Sequence, residues 1–136
     1  MSREDAEIVR RAYAALNERD FDSLSKLSDP DGVFDFSRSI GPQKGVYRGP
    51  EEFRRFASDW LDAFELYEAT PVEVDVGPHG RIVVRHHVRA KGRGSALDWE
   101  NEPDATFVFD VRDGKIFSTT LYQHHTQALK AAGPEP

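Results

Sequence analysis

The stretch GPEEFRRFASDWLDAFELYEATPVEVDVGPHGRIVVRHHVRAK, residues 49–91, decides the fold class, because its apolar period changes midway. Phe53, Phe56, Ala57, Trp60 and Phe64 recur at three- and four-residue spacing, which gives a helix with one wide aromatic face. Gly49-Pro50-Glu51-Glu52 starts that helix: proline suits the first turn, and acids there complement the helix dipole. From Ala69 the period is two. Val72, Val74 and Val76 alternate with Pro71, Glu73 and Asp75, and Gly77-Pro78-His79-Gly80 turns the chain. Arg81 to Lys91 then reads as a long strand. Ile82, Val84, His86, Val88 and Ala90 lie on one face, and Val83, Arg85, His87, Arg89 and Lys91 on the other.

Working outward, the same two periods account for the remaining segments. Ser2 and Asp5 make a capping-box-like start, and Ile8, Val9, Ala12, Tyr13 and Leu16 form the stripe of a first helix. A short second helix runs from Phe21 to about Leu27, stopped by the turn signal Ser28-Asp29-Pro30-Asp31-Gly32. Val33 to Ser37 alternates as a short strand. Arg38 to Gly49, with three glycines and a proline, reads as a loop suited to a lid. Past residue 91, Gly92-Arg93-Gly94-Ser95 reverses the chain, and Ala96 to Val111 is a strand weakened at Pro103. Arg112-Asp113-Gly114 is a hairpin turn, Lys115 to about His124 a return strand, and Thr126 to Ala132 a terminal helix. Three helices followed by an antiparallel meander predict one α+β domain over residues 1–136, with helices on one sheet face.

Composition narrows the function. The chain has 136 residues, 24 acidic and 18 basic side chains, a formal charge of −6 and no cysteine. Thiol nucleophiles, disulfide scaffolds, thiolate zinc sites and iron–sulfur clusters are therefore excluded. The acidic balance speaks against a nucleic-acid footprint, which needs clustered Lys and Arg. The charged first eighteen residues do not read as a signal peptide, and no apolar run reaches membrane-spanning length. A soluble, cytoplasmic protein is expected.

Five stretches carry a resemblance: FDFSRS at 34–39, VYRGPEEFRRFASDWLDAFE at 46–65, KGRGSALDWE at 91–100, FVFDVRDGKI at 107–116 and LYQHHTQALKAAG at 121–133. With the order of elements, they resemble the cone-shaped fold of SnoaL-like polyketide cyclases, ketosteroid isomerases and nuclear transport factor 2, and the SnoaL-like branch in particular. The resemblance implies three N-terminal helices packed on a curved antiparallel sheet, with a cavity at the open end. It also implies a homodimer through the sheet face. The chemistry-bearing positions depart from the isomerases, whose helix Tyr, strand Asp and mid-sheet Asp fall on Ala12, Phe36 and Ala105. They depart equally from limonene-epoxide hydrolases, whose last-strand Asp falls on Leu121. His124 stands where SnoaL-like relatives carry Asp in a Tyr-x-Asp pattern.

With no thiol, chemistry falls to His, Asp and Tyr. His86 shares its face with Ile82, Val84 and Val88, so it should point into the interior. There it is either a general base or hydrogen-bond donor, or a core histidine satisfied by a carbonyl or a Tyr. Asp35, between Phe34 and Phe36, is a candidate base with a raised pKa if it faces inward, although the alternation favours outward. Tyr13 is either a donor to a ligand carbonyl or a core tyrosine. Trp60, Trp99, Phe56 and Phe107 are candidates to shape an apolar pocket for a flat or polycyclic ligand, with Gln123 reaching it from a face shared with Phe117, Thr119 and Leu121. The bland reading of most of these aromatics is a packed core. His86, His124 and His125 make no metal set, since adjacent strand residues point oppositely. The outer basic ribbon of Arg81, Arg85, Arg89, Lys91 and Arg93 suits intersubunit ion pairs. The function expected is small-molecule binding, with cyclisation or isomerisation by proton transfer that needs no metal or organic cofactor. The alternative is a non-catalytic ligand-binding or dimerisation module.

Overall fold

The computed structural model describes residues 2–39, 44–77, 81–94, 98–100 and 106–132. Helix α1 (Ser2–Asn17) presents Val9, Ala12, Tyr13 and Ala15 to the core. Its end is pinned by a reciprocal pair in which the Asn17 amide donates to Ala69 O (2.8 Å) and accepts from Ala69 N–H (2.9 Å). Arg19 turns the chain with a φ of 56°, and the Asp20 side chain caps α2 (Phe21–Leu27) by accepting from Ser23 N–H.

Strand β1 (Ser28–Asp35) begins inside the stretch expected to be a turn. The turn chemistry is nonetheless present: Asp31 N–H donates to the Asp29 carboxylate, and the register shifts between Ser28 and Val33. Gly32 fits there because a Cβ would stand 3.0 Å from Asp29 O and 3.2 Å from Phe117 O. The signal marks a bulge within a strand rather than a break before one. The expected loop from Arg38 to Gly49 contains a short strand, β2 (Val46–Arg48), paired antiparallel to β1, while residues 40–43 lie outside the described set. Helix α3 (Gly49–Asp62) follows at once, burying Phe53, Ala57 and Leu61.

The sheet continues with β3 (Phe64–Val76), β4 (Arg81–Gly92), β5 (Asp98–Glu100), β6 (Thr106–Arg112) and β7 (Lys115–Tyr122). Its order is β2-β1-β7-β6-β4-β3, with β5 paired to the far end of β4, so β2 and β3 are edges and the sheet does not close. Every pairing is antiparallel except β1 with β7. Strand β3 starts five residues before Ala69, because Tyr67 and Ala69 continue the alternation backwards into pairing with Ala90 and Val88. A bulge at Val72 sets Pro71 opposite His86 and Glu73 opposite Arg85, leaving Val72 52% exposed. Pro103 lies outside the described residues.

The alternation read along β4 holds. Ile82, Val84, His86, Val88 and Ala90 are buried on the face that receives the first three helices. The helices do not all cover that face, however. Helix α4 (His125–Ala132) packs Ala128 and Ala132 on Val83 and Val108, which form a second small core on the opposite side. None of the described helices is long and apolar enough to cross a membrane.

Candidate functional site

Period-two alternation in β4 and period-3.6 spacing in α1 aim His86 and Tyr13 at the same interior point. Tyr13 Oη lies 3.0 Å from His86 Nδ1, and both side chains are buried, at 4% exposure each. Phe107 of β6 walls the pair, its ring 4.7 Å from the imidazole and 6.2 Å from the phenol. Phe109 closes the other side of Tyr13 at 5.9 Å.

From this point a line of aromatic rings leads outward. Phe36 stacks on Phe107 at 5.5 Å, Phe56 lies 5.9 Å from Phe36, and Tyr47 stacks on Phe56 at 4.2 Å. A second group, Trp60, Phe64 and Tyr67, joins α3 to β3, with rings 5.0–6.3 Å apart. Phe56, Trp60, Tyr67 and Phe107 all pack against the core yet are only partly buried. By contrast, the crevice between α2, α3 and β1, lined by Phe21, Leu24, Phe34 and Phe53 among others, is too tight for a water molecule.

Burial fixes the protonation states. It pushes His86 down to about 4, with the neighbouring His87 a smaller cause, so the imidazole is neutral at physiological pH. It raises the Tyr13 phenol well above its ordinary value, helped by Tyr67 nearby. Tyr67 is raised for the same reason, partly offset by Trp60. A neutral phenol bonded to a neutral imidazole has two arrangements. Either Tyr13 donates to Nδ1 and Nε2 carries the proton, or Nδ1–H donates to the phenol oxygen and Nε2 has a free lone pair. The pair can therefore present a donor or an acceptor to a ligand without either partner becoming charged.

The other sequence-derived candidates fare differently. Asp35 is not a carboxyl with a raised pKa. Burial alone would raise it, but its Oδ1 accepts from Ser37 N–H (3.0 Å) and Ser37 Oγ–H (2.6 Å), and Arg38 lies 3.5 Å away. The net effect lowers it, and the buried Phe34 and Phe36 on either side mark its face as the outward one. Phe56, Phe107 and Trp60 sit in the two aromatic groups. The backbone of Trp99 pairs with Ala90, but its side chain lies outside the described residues. Gln123 follows β7 half-buried, two residues past Leu121, the partner of Phe107. Its expected companion Phe117 is not on that face. A bulge sets Val111 opposite Ile116 and Asp110 opposite Ser118, so Ile116 enters the core while Phe117 lies under the Arg112 guanidinium. Tyr67 and Tyr47 are site residues that the sequence does not single out, Tyr67 because the alternation is clear only from Ala69 although β3 begins at Phe64. The spacing Tyr67, Ala69, Pro71 was the available signal.

The four arginines of the basic ribbon are engaged within the chain. Arg85 pairs with Glu73 (3.4 Å) and Arg89 with Asp98, while Arg93 donates to the Asp62 and Phe64 carbonyls and Arg81 to Ala132 O. His124 and His125 are not neighbours on a strand. His125 is the first residue of α4, and the His124 carbonyl accepts from Gln127 and Ala128 N–H.

Comparison with known proteins agrees with this architecture. A family model described as SnoaL-like domain matches residues 9–119. Bal32a, from a soil-derived mobile gene cassette, is similar at 23% identity over 89% of each chain, with a TM-score of 0.75. A Sinorhizobium meliloti protein whose assignment as a polyketide cyclase is provisional shares 24% identity over 85% of this chain and 94% of its own, with a TM-score of 0.65. TerC, co-crystallised with polyporic acid, shares 18% identity over 95% and 97%, with a TM-score of 0.73. At these identities the likeness is one of fold. No curated protein matches the chain.

Proposed function

The chain belongs to the SnoaL-like domain family, and from that premise we propose that it binds a flat, mostly apolar carbonyl compound in the cone. There the Tyr13–His86 pair moves a proton between carbon and oxygen. The observation that carries this reading is the 3.0 Å contact between two buried neutral groups beside partly exposed aromatic rings. A base that had to become imidazolium would be opposed by the same burial that holds His86 at about 4. A relay avoids that cost. His86 Nε2 takes the proton from carbon as Nδ1–H passes to the Tyr13 oxygen, while Tyr13 O–H is given to the carbonyl. The ligand leaves as its enol or, where the deprotonated carbon adds to a second carbonyl of the same ligand and that oxygen takes the Tyr13 proton, as its cyclised isomer; the imidazole is left in its other tautomer, and no charge accumulates. Phe56, Trp60 and Phe107 shape the apolar walls, and Gln123 steadies the carbonyl. That TerC was crystallised with polyporic acid supports a planar, oxygenated ligand.

The test is deuterium exchange at the α-carbon of 2-tetralone, followed by NMR, together with native mass spectrometry for a co-purified ligand. Exchange above buffer rate should fall to the buffer rate in His86→Ala and drop at least about tenfold in Tyr13→Phe. Exchange unchanged in both variants would remove the pair from the mechanism.

A second reading is a non-catalytic ligand-binding or dimerisation module in the cytoplasm. It is favoured by the exposed Val72 and Val76 on edge strand β3, at 52% and 48%. Sedimentation gives a homodimer if the sheet face self-associates and a monomer if it does not.

A further inference from the structure

We propose that Glu73, Asp75 and His125 form a site for a divalent transition-metal ion on the sheet face opposite the Tyr13–His86 pair. One potential ligand atom from each of the three lies within 4.8 Å of the others. Glu73 and Asp75 are two apart on β3, so they share a side, and their β4 partners Arg85 and Val83 place it on the outer face. His125 comes from the other end of the chain and stands at the start of α4, the helix that packs on that same face. The opposed directions of adjacent strand residues do not apply here, because His125 is on a helix and its two fellow ligands share one side of a strand.

The donor set is chemically specific. Two carboxylate oxygens and one imidazole suit zinc, nickel or copper better than calcium or magnesium, which take oxygen alone. His125 Nδ1 lies 3.4 Å from Thr106 Oγ1, so an Nδ1–H donated to that hydroxyl leaves the Nε2 lone pair for the metal and fixes the ring. Arg85 lies 3.4 Å from one Glu73 oxygen, which holds the carboxylate in place while its other oxygen remains for the ion. A tetrahedral ion would bring its ligand atoms to about 3.4 Å from one another, so the three side chains must close by roughly 1 Å, which exposed rotamers can accommodate. Three protein ligands leave the fourth position to water. The bound ion would tie the edge strand β3 to α4, an attachment separate from the interior site.

The experiment is isothermal titration of the untagged, chelator-treated protein with zinc chloride, and with cobalt(II) for its visible absorption. The expected result is one ion per chain, a cobalt spectrum of low-symmetry nitrogen and oxygen coordination, and affinity at least about tenfold weaker in both His125→Gln and Asp75→Asn. His124→Gln, one residue outside the set, should bind as the parent does. Circular dichroism checks each variant for folding. Asp75→Asn alters only a strand side chain, so it keeps the comparison alive if His125→Gln unfolds. No zinc uptake by the parent protein at about 1 mM, or uptake that both variants retain in full, overturns the site.

Discussion

The depressed pKa of His86 makes a prediction about stability that is independent of any ligand. In the unfolded chain the imidazole titrates near its ordinary 6.5, whereas in the fold burial holds it to about 4. Between those values the unfolded state binds a proton that the folded state refuses, so stability rises with pH through this window and is lost as pH falls. The contribution is fully present above about pH 6.5. At 1.36 kcal/mol per pKa unit the whole span is worth about 3 kcal/mol, of which about 2 kcal/mol is gone by pH 5. For a chain of this size that corresponds to roughly 6–10 °C in Tm. Asp20, Asp35 and Asp98 also have lowered values and act in the same direction, but their ordinary value is 3.8, so they lose their contribution at lower pH. Urea unfolding of the parent and of His86→Gln should therefore be compared between pH 7.5 and 4.5. The amide can still hydrogen-bond Tyr13 but cannot titrate. The parent should lose about 2 kcal/mol more than the variant on going from pH 7.5 to pH 5. Parallel stability curves for the two proteins would mean that His86 takes up its proton as readily folded as unfolded, and the argument for a neutral buried pair would fail.

Two further outcomes concern the scaffold that holds the pair. Asn17→Ala removes both hydrogen bonds to the Ala69 backbone and should cost about 2 kcal/mol in urea unfolding, while a loss under about 0.5 kcal/mol would show that they do not anchor α1. Gly49→Ala and Gly114→Ala both force a side chain into a left-handed backbone (φ 81° and 77°), worth about 1–2 kcal/mol each, but only at Gly49 would the new Cβ meet a neighbour, Pro30 O at 3.2 Å. Gly49→Ala should therefore be the more destabilising by thermal melting, and equal effects would show that strand β1 yields there freely.

How far the sequence can be read depends on whether a segment's neighbours are close in the chain. The helix bounds at Phe21 and Gly49 were legible because caps and turn residues act locally, through Asp20 and through Pro50. His86 was legible because one unbroken alternation from Ile82 to Ala90 fixes its side, and its partner was within the alternatives already open. What could not be read were the bulges. The shifts at Val72 and Phe117 depend on β4 and β6, and each one turns the side chains after it to the other face. Strand β2 was hidden for a related reason: three residues carry no period, and only the pairing with β1 makes them a strand.

The same dependence separates the two candidate sites. The interior pair is built from α1 and β4, each with a strong period of its own, so its residues announce themselves and their burial then dictates neutral chemistry. The outer cluster joins Glu73, placed by the bulge at Val72, with His125, placed by the start of α4. Were Val72 paired in a regular ladder instead of bulged out, the alternation running from Tyr67, Ala69 and Pro71 would turn Glu73 to the interior face beside His86, where a buried carboxylate next to an imidazole would draw a proton onto His86 and raise its pKa. The bulge thus does two things at once. It keeps the carboxylates of β3 away from the interior, which preserves a neutral Tyr13–His86 pair, and it brings them together on the face where His125 stands. Deleting Val72 takes out the bulged residue and leaves Glu73 directly after Pro71, still opposite Arg85 and still outward, so the His86 pKa measured by NMR and the zinc uptake should both stay as in the parent. If the deletion variant folds with a raised His86 pKa or without zinc uptake, Val72 does more than take up the extra place in the register.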